Sequence, residues 1–173
     1  MTYKKFFIQQ QTVSGTTYTD VGSAVDTYAT YHVVCQECPF KLRPEPKEPA
    51  KIDWYDEDGE DVYIPSDGLR FKAYDMEVKF LYVGTESNMA TELKGFIEFL
   101  YGKNSGGSPW LAIYDEYTKT GRRGVYVSGV DSELLAYDDA NGTISSGQLV
   151  SEVVGVFKVK FRVTDPVYDY NPN

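Results

Sequence analysis

What most constrains this chain is the stretch from Asp61 to Gly102, where two β-like runs, Asp61 to Pro65 and Leu69 to Val83, lead directly into one helix, Ser87 to Tyr101. Met89, Leu93, Phe96, Ile97 and Leu100 recur at a spacing that gathers them on one helical face, while Glu92, Lys94 and Glu98 fall elsewhere. A helix with one apolar stripe owes most of its stability to the surface it lies on. No other segment reads as a helix, so that surface is a β-sheet.

Composition agrees with this. At 173 residues the chain suits one domain able to bury a core, and aromatic residues make up 15% of it, a bias towards pleated, half-buried strands. The 26 acidic residues against 17 basic give a formal charge of −9, which argues against binding nucleic acid by phosphate neutralisation. An acidic surface instead repels DNA and lets it pass without sticking. No charged-then-apolar start resembles a signal peptide and no apolar run approaches a membrane span, so the expectation is a soluble product made in a cytoplasm, with no membrane partner.

In chain order, residues 3 to 11 read as a first strand, and Thr12 to Val25, polar and rich in Gly, Ser and Thr, as a long connection or arm. Asp26 to Gln36 alternates with bulk on both parities, as in a strand covered on both sides. Pro39 to Pro49 holds four prolines in eleven residues and predicts an extended, projecting excursion, running on to Asp61. Asp58-Gly59, between Ile52-Asp53-Trp54-Tyr55 and Val62-Tyr63-Ile64, signals a hairpin, and Asp67-Gly68 another turn. Thr85, Ser87 or Asn88 can cap the helix, and Gly95 within it suggests close approach of its backbone to the sheet. Beyond the flexible loop from Gly102 to Ser108 all signals are strands: Trp110 to Tyr117, a turn at Thr120-Gly121, Gly124 to Val130, Leu134 to Tyr137, a turn at Asn141-Gly142, and Leu149 to Val163 with a basic outer face. Asp165 to Asn173 reads as a short C-terminal tail. The sum is a mainly β chain of about nine strands, an antiparallel sandwich or flattened barrel with one flanking helix over about 87–101, in a single domain spanning 1–173.

Chemistry is sparse. The chain lacks a G-x-S-x-G, a phosphate-binding loop, a G-x-G-x-x-G and an H-E-x-x-H. His32 with Cys35 and Cys38 forms an H-x-x-C-x-x-C, but on a regular strand the two thiols point to opposite faces, and three ligands leave a zinc site short of a fourth. The reading is two reduced thiols, no metal and no cofactor, and His32 as a packed or hydrogen-bonded residue rather than a catalyst. Six of the residues from Asp53 to Asp61 are acidic, yet the EF-hand register puts Trp54 where the loop needs Asp, which leaves a solvated acidic loop. Trp54, Tyr55, Asp56, Glu57, Asp58, Glu60 and Asp61 are the candidate assembly surface. Trp54, Tyr55 and Trp110 supply the alternative, a carbohydrate-binding β-sandwich module or virion adhesin that stacks sugars.

The succession Asp61-Val62-Tyr63-Ile64-Pro65, Phe71 to Phe80, the helix with Phe96-Ile97-Glu98-Phe99-Leu100, then Leu111 to Tyr117 and Gly121 to Val127 resembles the tail-tube and distal-tail proteins of long-tailed phages and prophages. The likeness covers roughly residues 50 to 165 and rests on element order and texture. It implies a structural protein of the virion, made in the cytoplasm of a bacterial host. Its partners would be copies of itself, usually in a hexameric ring, and neighbouring tail proteins, around a channel through which DNA passes without sequence-specific binding. It also implies a chain that is not an enzyme. Ring closure by strand edges would be a heterologous interface that closes by rotation, and the segments Thr12 to Val25 and Pro39 to Asp61 would order on assembly.

Overall fold

A computed structural model describes residues 4–42, 44–135, 144–145, 148–149 and 153–172. Their order is β1 (Phe6–Ser14), β2 (Thr17–Asp26), α1 (Thr27–Tyr31), β3 (Val33–Glu37), β4 (Ala50–Ile52), β5 (Asp61–Tyr63), β6 (Tyr74–Gly84), α2 (Glu86–Leu100), β7 (Trp110–Asp115), β8 (Thr120–Leu135), β9 (Ile144–Ser145), β10 (Gln148–Leu149) and β11 (Val153–Val163). Seven strands form one antiparallel sheet in the order β2-β1-β7-β8-β11-β6-β3, while β9 with β10 and β4 with β5 make two small separate pairs. The protein is thus mainly β with a flanking helix, as expected, and the sheet stays open rather than closing into a barrel.

Alternation sets which face is core. In β6, Tyr74, Met76, Val78, Phe80 and Tyr82 are buried, and Phe80, Val78, Met76 and Tyr74 stand opposite Phe157, Val159, Phe161 and Val163 of β11. The rings of Phe6 on β1 and Phe80 on β6 meet edge to face with centroids 5.5 Å apart, although the two strands lie four places apart in the sheet. Strands spaced about 4.8 Å apart would hold those positions roughly 19 Å from each other in a flat sheet. The sheet is therefore rolled, with its inner face wrapped around Phe80, Phe96 and Phe157.

The helix lies in this roll. Leu93, Phe96, Phe99 and Leu100 of α2 are buried, and Met89 and Ile97 are partly buried against the same core. Gln10, buried on the inner face of β1, donates to the carbonyl of Phe99 at 2.7 Å and to Asn104 Oδ1 at 2.8 Å, which satisfies the helix end. Gly102 follows at φ 68°, the left-handed stop that favours glycine. Thr85 is the N-cap residue, although its side chain makes no capping bond.

Several expectations need correction. The run from Asp26 to Gln36 is not one strand. Asp26 caps α1 by accepting from the amides of Tyr28 and Ala29, and His32 ends it at φ 53° before β3 begins. Because Tyr31 of that short helix packs on Phe96 and Phe99, the stripe of α2 is wider than the five positions expected and includes Phe99. Thr12 to Val25 is not a loose arm. β1 runs through Thr12 to Ser14, Gly15-Thr16 makes a two-residue turn, and β2 pairs back as an edge strand, its ladder interrupted between the Ile8 and Gln10 positions.

Leu69 to Ala73 precede β6 instead of belonging to it, and Phe71 bridges to Pro46. The residues read as Gly124 to Val130 and Leu134 to Tyr137 form one strand as far as Leu135, and the turn before it is at 116–119, with Lys119 at φ 57°. Of Leu149 to Val163, Val153 to Val163 form the long strand and Leu149 belongs to β10, while 150–152 lie outside the described residues. The turn at Asn141-Gly142 lies outside the described residues. The basic outer side chains of β11 are countered by β6: Lys158 and Glu77 are 2.7 Å apart, and Arg162 and Asp75 2.9 Å.

Gly95 was expected to admit a close approach of the sheet. A Cβ there would instead meet the Tyr31 ring at 3.5 Å, an ordinary contact. Gly95→Ala should therefore stabilise the protein by up to about 1 kcal/mol, the difference in helix propensity; a lower midpoint in chemical denaturation would show that α1 and α2 pack more closely than this.

Candidate assembly surface

The excursion between β3 and β6 is a two-ply arm. Near its root the amide of Lys47 donates to the Arg70 carbonyl and that of Lys72 to the Glu45 carbonyl, and Lys72 Nζ reaches Glu45 at 2.8 Å. That lysine holds the Glu45 carboxyl below its ordinary value, as Arg70 does for Asp67. Further out, β4 and β5 pair through Ala50–Tyr63, Lys51–Val62 and Ile52–Asp61. All six of these residues are exposed. Ala50, Ile52 and Tyr63 share one face of the ribbon, because directly opposed residues point the same way.

The candidate residues sit at the outer part of this arm. Trp54 Nε1 donates to Asp61 at 3.2 Å, and Lys51 lies 3.6 Å from Glu60 and 3.1 Å from Glu48, which raises the lysine's pKa. Among the described residues, the side chains of Asp56, Glu57 and Asp58 have no such partner. Tyr55 is 99% exposed and Tyr63 71%, and Ile52, Val62 and Ile64 are also open to solvent. The structure therefore brings the seven candidates together on one projection. It separates Trp110 from them: that residue opens β7 opposite Gln11 and packs edge-on against Tyr126.

The arm leaves the sheet beside a buried cation absent from the sequence-based candidates. Arg122, 3% exposed, lies opposite Ile113 on the inner face at the start of β8. Its Nη1 donates to the Gly121 carbonyl and to Asp169, and its Nη2 donates to the Lys41 carbonyl at 3.3 Å. One guanidinium thus holds the arm's first residues and the C-terminal segment together. That segment is no free tail. Tyr170 is buried on the outer face with Ala112, Tyr114 and Phe7, its amide donates to the Gly121 carbonyl, and Arg123 pairs with Asp165 and stacks on Tyr168. Gly121 must be glycine, since a Cβ would run into the carbonyls of Tyr170 and Ile113. The only signal of this site was Arg122-Arg123 between two glycines, which fixes neither burial nor partner.

A further titratable cluster seals the seam between α1, β6 and α2. His32 Nδ1 lies 3.0 Å from Glu92 Oε2, and the Tyr82 hydroxyl donates to that oxygen at 2.6 Å. Glu92, expected to point away from the core, is turned into this seam, whereas Lys94 and Glu98 are exposed. Burial and the Glu92 carboxylate push the Tyr82 phenol up to about 12. Cys35 and Cys38 are free thiols, and among the described residues no three His, Cys, Asp or Glu side chains are grouped to hold a metal ion. No described helix is long and apolar enough to cross a membrane.

Two outcomes follow. Arg122→Gln should raise amide exchange in both the arm root and residues 165–172, whereas Asp169→Asn should raise it chiefly in the latter and less at the arm root, which keeps its bond to the guanidinium; equal effects of the two changes would mean the arm is held by something else. The raised Tyr82 pKa favours the protonated fold, so its contribution is complete below pH ~10, the unfolded value, and is lost as pH rises through ~12. The stability difference between wild type and Tyr82→Phe should be flat to pH ~10 and shrink above it; a difference constant to pH ~12 would rule out the coupling.

Comparison with protein-family models, with curated proteins and with solved structures finds no match to this chain.

Proposed function

We propose that this chain is a ring-forming structural subunit of a phage tail, of the tail-tube or distal-tail kind. The observation that carries the proposal is the arm: a ribbon with Ile52, Val62, Tyr63 and Ile64 in water and an acidic, aromatic tip. Apolar side chains held out on a projection, Ile52 and Tyr63 on one face of the ribbon and Val62 on the other, mark a surface meant to be covered. The formal charge of −9 suits a lumen past which phosphates slide. β2, an exposed edge with neither proline nor lysine, offers unpaired backbone to a neighbour. In this reading the arm reaches an adjacent subunit, the apolar face of β4–β5 supplies affinity and the tip carboxylates set the salt dependence.

Light scattering behind size exclusion, with negative-stain imaging, tests this directly. Rings or stacked tubes that grow with concentration are expected. Ile52→Ser with Tyr63→Ser should raise the concentration needed for assembly by about tenfold or more. Neutralising Asp56, Glu57, Asp58, Glu60 and Asp61 should flatten its dependence on salt. A monomer at every concentration, with or without neighbouring tail proteins, would overturn the proposal.

The exposed pair Trp54 and Tyr55 also favours a second reading, sugar stacking at the arm tip. Saturable glycan binding lost in Trp54→Ala, without assembly, would select it.

A further inference from the structure

Cys35 and Cys38 lie on opposite faces only if β3 is regular, and it is not. Cys35 stands opposite Phe80 and Glu37 opposite Lys79, so two steps along β3 match one step along β6. This one-residue bulge shifts the alternation. Phe80 faces the core, so Cys35 does too; Glu37 faces outward with Lys79, and Cys38, the next residue, returns to the inner side. Both cysteines pack against the same core cluster. The amide of Phe40 then donates to the Cys38 carbonyl at 2.9 Å, in the turn from which the arm departs.

We infer that Cys35 and Cys38 are a reversible dithiol–disulfide pair, a redox modification site that fastens the root of the arm to the end of β3. The oxidant is a low-molecular-weight disulfide such as oxidised glutathione. The Cys35 thiolate attacks one sulfur of that disulfide and expels the first glutathione thiolate. Cys38 then gives up its proton and attacks Cys35 Sγ, expelling the second. Two electrons pass from the protein to the glutathione disulfide, two protons leave the thiols, and two glutathione molecules are released. Cys38 takes the second, intramolecular role because burial, with the neighbouring Cys35 and the Asp115 charge, pushes its thiol well up and keeps it from reacting first. Bridging requires both thiols on one side of the strand, and the bulge provides that. Once closed, the bridge ties the Cys38–Pro39 junction, from which the arm departs, to the end of β3. The inference is independent of any role for the arm in ring assembly.

The test uses the intact wild-type chain, native, with oxidised glutathione and then with dithiothreitol. The expected product is an intramolecular disulfide about 2 Da lighter than the dithiol, mapped to Cys35–Cys38, with amide exchange in the arm slowed several-fold and restored on reduction. Cys38→Ser should yield a glutathione adduct on Cys35, while Cys35→Ser should react far more slowly. Two thiols that remain fully alkylatable, mixed adducts or intermolecular dimers in the wild type, or a disulfide that leaves arm exchange unchanged would each overturn the inference.

Discussion

The contact between Phe6 and Phe80 is the constraint on which the rest of the architecture depends. Two rings from strands four places apart meet only if the sheet rolls, and once rolled it leaves a trough lined by Phe80, Phe157 and Val78 that α2 fills with Leu93, Phe96 and Leu100. The roll brings the sheet's two edges, β2 and β3, close enough for five residues of α1 to join them, with Thr27 Oγ1 donating to the Val33 carbonyl at 2.7 Å. It also stacks the starts of β6 and β8 and the end of β7 at one rim, where the arm and the C-terminal segment both originate. The placement of the candidate surface is therefore a consequence of core packing, because a flatter sheet would set Lys41 too far from Arg122 for a bond.

Much of this was legible in the sequence, and what was not has a physical reason. α2 was legible because its apolar period is long, and β6 and β11 because period-two alternation runs from Tyr74 to Phe80 in the one and from Phe157 to Val163 in the other. α1 was not: Thr27-Tyr28-Ala29-Thr30-Tyr31 has strand-favouring composition, and only the Asp26 cap and the left-handed His32, both local backbone choices, turn it into a helix. β2 was missed because an edge strand with no fully buried residue has no apolar alternation to detect. The order in the C-terminal segment rests on Arg122 and Gly121, nearly fifty residues earlier, a pairing no local pattern encodes. The bulge in β3 likewise depends on its partner strand, so the relation of the two thiols was beyond reach of parity alone. Of the candidate surface, the seven residues and the hairpin that carries them were legible, but the buried cation at its base was not.

The arm and the core obey different rules. Inside the roll nearly every apolar side chain is covered, and even the glutamines of β1 are buried and bonded. On the arm the arrangement is reversed, with isoleucine, valine and tyrosine held in solvent by a ladder of three residue pairs and a few surface ion pairs. Ion pairs of that kind contribute little on their own. The arm is the low-stability end of the molecule, suited to being fixed by whatever covers it.

Because Arg122 serves both the arm, through the Lys41 carbonyl, and the C-terminal segment, through Asp169, the two segments are thermodynamically linked. A hydrogen bond to a charged group contributes on the order of 1.5–3 kcal/mol, so detaching one segment can change the cost of detaching the other by at most roughly ten- to a hundredfold. Linkage of this kind is reciprocal: a partner that grips the arm and draws Lys41 away loosens the C-terminal residues, and a partner that takes up the C-terminal residues frees the arm by the same factor.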